Sequence, residues 1–109
     1  MMRMMNRELL FTPEAERNFD SLRRDPSKAN MFKQVRKTLA LLETNLRHPS
    51  LNTHRFYSLA SPNGEEVFEA YAQQHTPGAY RIFFYYGPDR REGNRRIPVL
   101  TIVAITPHP

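Results

Sequence analysis

The 109-residue chain has no Cys, no Trp and only 4 Gly, and only three of its 16 basic residues are Lys. Each shortage excludes something. Without Cys there is no disulfide framework, no thiolate zinc site and no thiol nucleophile. A Cys-free chain also suits a reducing cytoplasm, which is the expected location. The few Gly are scattered, so no glycine-rich phosphate loop and no G-x-S-x-G nucleophile elbow can be drawn. No apolar run approaches the roughly 20 residues that a membrane-spanning helix needs. The opening Met1-Met2-Arg3-Met4-Met5 is too short for the apolar region of a signal peptide. Residues 1–6 are expected to be frayed, and the rest to form one domain, because this length leaves no room for a second core.

What is present is arginine. Thirteen Arg dominate a formal charge of +5, and they are accompanied by 7 Phe and 5 Tyr. The guanidinium group binds phosphate bidentately and stacks on bases, whereas Lys acts as a point charge. Tyr can stack on bases as well as fill a core. This composition points to a phosphate-rich partner, RNA or DNA. An ordinary basic surface is the plainer reading of the same charge.

Residues 8–11 form a short apolar run, a candidate first strand. Thr12-Pro13-Glu14 opens a helix: Thr12 can cap, Pro13 suits the first helical position, and Glu14 and Glu16 favour the positive dipole end. Ala15, Phe19 and Leu22 recur at helical spacing, and Asp25-Pro26-Ser27 breaks the pattern. A second helix follows, in which Phe32, Val35, Leu39, Leu42 and Leu46 keep spacings of three and four. That stripe reads as core packing against a helical hairpin rather than as a coiled-coil seam. Pro49 ends the helical half. Beyond it the texture is β: a short piece at 55–59, then strands at 67–73, 80–86 and 97–105, with turns at Ser61-Pro62-Asn63-Gly64 and Thr76-Pro77-Gly78. Residues 87–96 read as a polar loop. The predicted class is α+β, with an N-terminal strand and a helical hairpin packed on one face of a mainly antiparallel sheet.

The four His residues form no i, i+4 pair, so no metal site is expected. Arg81 is the sharper case, because it interrupts an otherwise apolar and aromatic strand. It is either solvated on an open sheet face or holding an anion. Glu69 and Tyr71 pose the same choice on the preceding strand. If the hairpin register brings all three to one face, a carboxylate, a phenol and a guanidinium converge there. Such a set can bind a phosphate, position a hydroxyl and stabilise charge on a phosphorane. His108, near the chain end, is either merely exposed or, as the residue type whose ordinary pKa lies near neutrality, a natural acid or base if the terminus folds over the sheet. His54 and Arg55 lie where the helical half hands over to the sheet, either as surface loop or as substrate contacts. Arg90, Arg91, Arg95 and Arg96 crowd the polar loop, as phosphate contacts or as a solvated tip.

Several stretches together carry a likeness. They are Phe11-Thr12-Pro13-Glu14-Ala15-Glu16, Arg47-His48-Pro49-Ser50-Leu51, Val67-Phe68-Glu69-Ala70-Tyr71, Ala79-Tyr80-Arg81-Ile82-Phe83-Phe84 and Val103-Ala104-Ile105-Thr106-Pro107-His108. In their order and layout the chain resembles the RelE/ParE toxin superfamily of type II toxin–antitoxin systems, the RelE-like branch above all. The resemblance implies metal-independent cleavage of translated mRNA at the ribosome, with no cofactor. A ribose 2′-hydroxyl attacks the adjacent phosphate, leaving a 2′,3′-cyclic phosphate and a 5′-hydroxyl. By position Arg81 takes the scissile-phosphate role and His108 that of acid or base, with Glu69 and Tyr71 on the strand before. The chain departs from the pattern in having no Lys on that strand, and in having Pro109 where the family has a Tyr after a terminal His.

Two other functions fit the same resemblance: a ParE-like gyrase inhibitor, and a basic RNA-binding domain without catalysis. Either toxin implies a separate antitoxin whose C-terminal segment folds onto the basic face. An acidic segment there implies salt-sensitive association.

Overall fold

The computed structural model describes residues 7–61, 63–73 and 78–107. The expectations for residues 1–6, for His108 and Pro109, for Pro62 and for 74–77 in the second turn lie outside them. The element order is β1 (Glu8–Phe11), α1 (Pro13–Arg24), a 3-10 turn (Pro26–Lys28), α2 (Ala29–Thr44), a 3-10 turn (Pro49–Leu51), β2 (His54–Ala60), β3 (Glu66–Tyr71), β4 (Tyr80–Tyr86), β5 (Arg90–Glu92), β6 (Arg95–Ile97) and β7 (Val99–Pro107).

Local chemistry explains the helical half. Thr12 Oγ1 accepts the Ala15 N–H at 3.1 Å and donates to the Val103 carbonyl at 3.2 Å, so one hydroxyl both caps α1 and ties it to β7. Asp25 ends α1 and caps the following turn, accepting from Ser27 N–H at 3.0 Å. Ala15, Leu22, Val35, Leu39 and Leu42 turn the apolar stripes of both helices inward. They meet Ala70, Ile82, Phe84, Leu100, Ile102 and Ile105 of the sheet in one core. Leu46 packs against that core from beyond the end of α2 at Thr44.

The main sheet has the order β1-β7-β4-β3-β2. β1 runs parallel to β7, and the other pairs are antiparallel. The first strand of the chain therefore pairs with the last. A bulge in β7 sets Phe83 opposite Ala104 but Phe84 opposite Ile102, leaving Val103 as the extra residue. The bulge switches the inward phase from Leu100 and Ile102 to Ile105. It also presents the Val103 carbonyl that Thr12 takes up.

Three expectations change. Residues 87–96 are not a plain polar loop: β5 and β6 pair as a separate antiparallel hairpin, Arg91 opposite Arg96 and Glu92 opposite Arg95. The alternation of long charged side chains conceals the strands, because neither face of this ribbon carries a regular apolar set. The last strand is divided at Pro98, which cannot donate to a ladder, so β6 and β7 belong to different sheets. His54 is a strand residue of β2, which begins one residue before the piece expected at 55–59, and not surface loop.

Candidate active face of the sheet

Directly opposed residues on neighbouring strands share a face. Tyr71 stands opposite Arg81, and Arg81 opposite Thr106. In the next row on that face His54 stands opposite Glu69, Glu69 opposite Phe83, and Phe83 opposite Ala104. Phe68, Ala70, Ile82 and Phe84 point the other way, into the helical core. His54, Glu69, Tyr71 and Arg81 therefore converge on the face turned away from the helices.

The geometry within this set is close. The Arg81 guanidinium carbon lies 3.7 Å from the Tyr71 ring centroid, a cation–π contact. Arg81 Nη1 donates to the Gln73 carbonyl at 3.0 Å and to the Tyr80 carbonyl at 3.3 Å. These contacts fix the side chain, which is only 8% exposed. Arg81 Nε is buried and finds no hydrogen-bond partner among the described residues. A buried donor without a partner is uncommon in folded proteins. Arg81 is thus not the solvated strand residue that one reading of its pattern allowed.

The Tyr71 ring lies 5.6 Å from that of His54, edge to face. His54 Nε2 stands 2.7 Å from Glu69 Oε1, and Nδ1 stands 2.9 Å from the Asn52 carbonyl oxygen. The Glu69 side chain is 0% exposed and that of His54 45%. Burying a carboxylate without a partner is costly, and the imidazole supplies one. Beneath this row Phe56 packs on Phe83, ring centroids 4.9 Å apart.

Local structure aims His54. His48 Nδ1 accepts the Ser50 N–H at 3.2 Å and caps the turn Pro49–Leu51, and Leu51 is buried. Asn52 then takes a left-handed conformation, φ 45°, which Asn tolerates better than most residues. That reversal starts β2 and leaves the Asn52 carbonyl against the imidazole. Sequence reasoning missed Asn52, although an Asn just past a Pro-opened turn is a recognisable signal.

Other candidates lie elsewhere. Arg55 stands opposite Phe68 and so faces the helix side, where it pairs with Glu66 at 3.0 Å and covers Tyr57 at 4.5 Å. The β5–β6 hairpin follows the far end of β4, about 17 Å along the strand from Arg81 at roughly 3.3 Å per residue. Within it Arg90 pairs with Glu8 and with Glu92, and Arg96 pairs with Asp89 at 3.4 Å. Arg91 and Arg95 have no carboxylate partner among the described residues. No group of three or more His, Asp or Glu able to hold a metal converges among the described residues.

No family model matches this sequence, and no curated protein matches it. Among solved structures the chain is similar to the YoeB dimer from Staphylococcus aureus, with a TM-score of 0.55 and 13% identity. The match covers 94% of this chain and 98% of that one. Despite low identity the two share their architecture over nearly their whole length, and the chain has a YoeB/RelE-like fold.

Proposed function

We propose that the protein is the toxin of a type II toxin–antitoxin pair, and that it cleaves translated mRNA at the ribosome without a metal. The observation that carries the reading is that His54, Glu69, Tyr71 and Arg81 share the sheet face turned away from the helices. The fold supports it, as does the RelE/ParE-like order of motifs. In this reading Arg81 receives the scissile phosphate. Its fixed guanidinium stabilises the charge that grows on the non-bridging oxygens as the 2′-oxygen attacks, and it needs no rearrangement to do so. Tyr71 holds the guanidinium in place. Glu69 and His54 supply the titratable pair, and His108 is a further candidate for acid or base by position. The β5–β6 hairpin gives Arg91 and Arg95 to more distant phosphates, a contact that positions RNA without reading sequence.

Inducible expression in a bacterial host, wild type beside Arg81→Ala, tests the reading. Growth arrest with new 5′ ends inside coding sequences, both absent in the variant, is the expected result. Arrest with intact mRNA transfers the case to a gyrase-directed inhibitor. Absence of arrest with soluble protein overturns an autonomous toxin. The reading also implies an antitoxin as partner. An acidic segment of it covers the basic face, and the complex weakens as salt rises.

A further inference from the structure

Both ring nitrogens of His54 face oxygen. The Asn52 carbonyl, 2.9 Å from Nδ1, can only accept, so Nδ1 carries a proton. Nε2 lies 2.7 Å from Glu69 Oε1, an ion-pair distance for a ring that carries its second proton. The two ends of the ring differ in access. The carboxylate on the Nε2 side is fully buried, whereas the Nδ1 contact with Asn52 lies at the surface. The Nε2 end is anchored, and a substrate oxygen can replace the Asn52 carbonyl at the Nδ1 end. Among the described residues, Tyr71 from β3 and, beyond it, Arg81 from β4 face the pair; the β4 residue opposite Glu69 is Phe83, which does not titrate. Arg55, next along β2, is turned to the other face and engaged with Glu66.

We propose that His54 is the general acid of this site and that Glu69 is its positioning residue. The proposal rests on the nuclease reading above. In the reaction the 2′-oxygen bonds to phosphorus and loses its proton to water. The bond from phosphorus to the 5′-oxygen breaks, and the leaving oxygen takes the Nδ1 proton. His54 is left neutral, its Nε2–H still directed at the Glu69 carboxylate, and Nδ1 regains a proton from solvent. Glu69 thus acts through His54 instead of meeting the ribose hydroxyl, which its burial keeps from it.

A substrate that needs no acid tests this. RNA with a bridging 5′-sulfur at the cleaved linkage has a leaving group that departs unprotonated. It is presented to purified full-length protein beside its all-oxygen counterpart, free and on translating ribosomes. His54→Ala is expected to lose about 100-fold or more on the oxygen substrate and to stay within about tenfold of wild type on the sulfur substrate. Glu69→Gln keeps shape and a hydrogen-bond acceptor but loses the charge. Its loss is expected on the oxygen substrate and is expected to be largely restored on the sulfur substrate, as a residue that acts through the acid requires. Undiminished cleavage of the oxygen substrate by His54→Ala overturns the proposal, and so does an equal loss on both substrates by a variant that melts like wild type. If His54→Ala does not fold, an equal loss on both substrates in Glu69→Gln overturns it. Wild-type protein that cleaves neither substrate in either setting overturns the nuclease reading itself, a separate outcome.

Discussion

At the residue scale Arg81 combines features that seldom meet. It is charged, nearly buried, stacked on Tyr71 and held by two main-chain carbonyls, yet one of its donors is unspent among the described residues. A Lys at this position keeps the charge but has no planar fork for a phosphate and no flat group to lie on Tyr71. Arg81→Lys is therefore expected to lower RNA cleavage by about 100-fold, near the cost of removing one preorganised donor to a developing oxyanion. Single-turnover rates on a defined RNA check it. Tyr71 is predicted to act by its ring face. Tyr71→Phe keeps the stack and should cleave within about threefold of wild type, whereas Tyr71→Ala should lose about tenfold, the scale of a partly desolvated cation–π contact. Equal losses in both variants would instead place the phenol in the chemistry.

At the scale of elements, two short segments do work out of proportion to their length. Thr12 joins β1 to α1 and reaches the carbonyl exposed by the β7 bulge. Thr12→Ala is expected to cost about 1–2 kcal/mol in denaturant unfolding, the cost of a lost helix cap, while leaving the proposed RNA cleavage by the folded protein unchanged. The β5–β6 hairpin stands at the opposite end of β4 from Arg81. Arg91→Ala and Arg95→Ala should weaken RNA binding about equally for every sequence. Each should also reduce the slope of log affinity against log salt by about one unit. A salt titration of binding in each variant reads this directly. A sequence-dependent loss would show that the hairpin reads bases.

For the molecule as a whole, one surface carboxylate ties distant segments together and others brace single turns, and protonating them lowers stability in acid. Hydrogen bonds from Arg90 hold the Glu8 carboxyl below its ordinary value of 4.5, joining β1 to the hairpin. Arg17 and Asn18 do the same for Glu14, and Ser61 for Glu65. Each group has a lower pKa folded than unfolded. Its contribution is complete above about 4.5 and is lost as pH falls through the depressed folded value. Lys28 is shifted upward by its hydrogen bond to the Tyr80 hydroxyl. Its contribution is present below 10.5 and fades as pH rises through the higher folded value. Melting temperature is therefore expected to be level across neutral pH and to fall below about 4.5. High salt should narrow the difference, because these pairs are exposed.

How much could be read in advance depended on the range of the interaction. The cap at Thr12, the stop at Asp25-Pro26, the stripe from Phe32 to Leu46 and the β texture from Tyr80 to Tyr86 are local patterns, and the α+β order follows from them. Arg81 stood out because a charge in an aromatic strand is locally anomalous. The pairing of β1 with β7, the β5–β6 hairpin and the face to which Arg55 turns have no local signature. Side chains alternate across a strand, so one residue of register exchanges the two faces. That register depends on the whole length of β3 and β4 and on a bulge in β7. Only the folded sheet could set Tyr71 against Arg81 and His54 against Glu69, because each pair joins two strands across a ladder of main-chain hydrogen bonds.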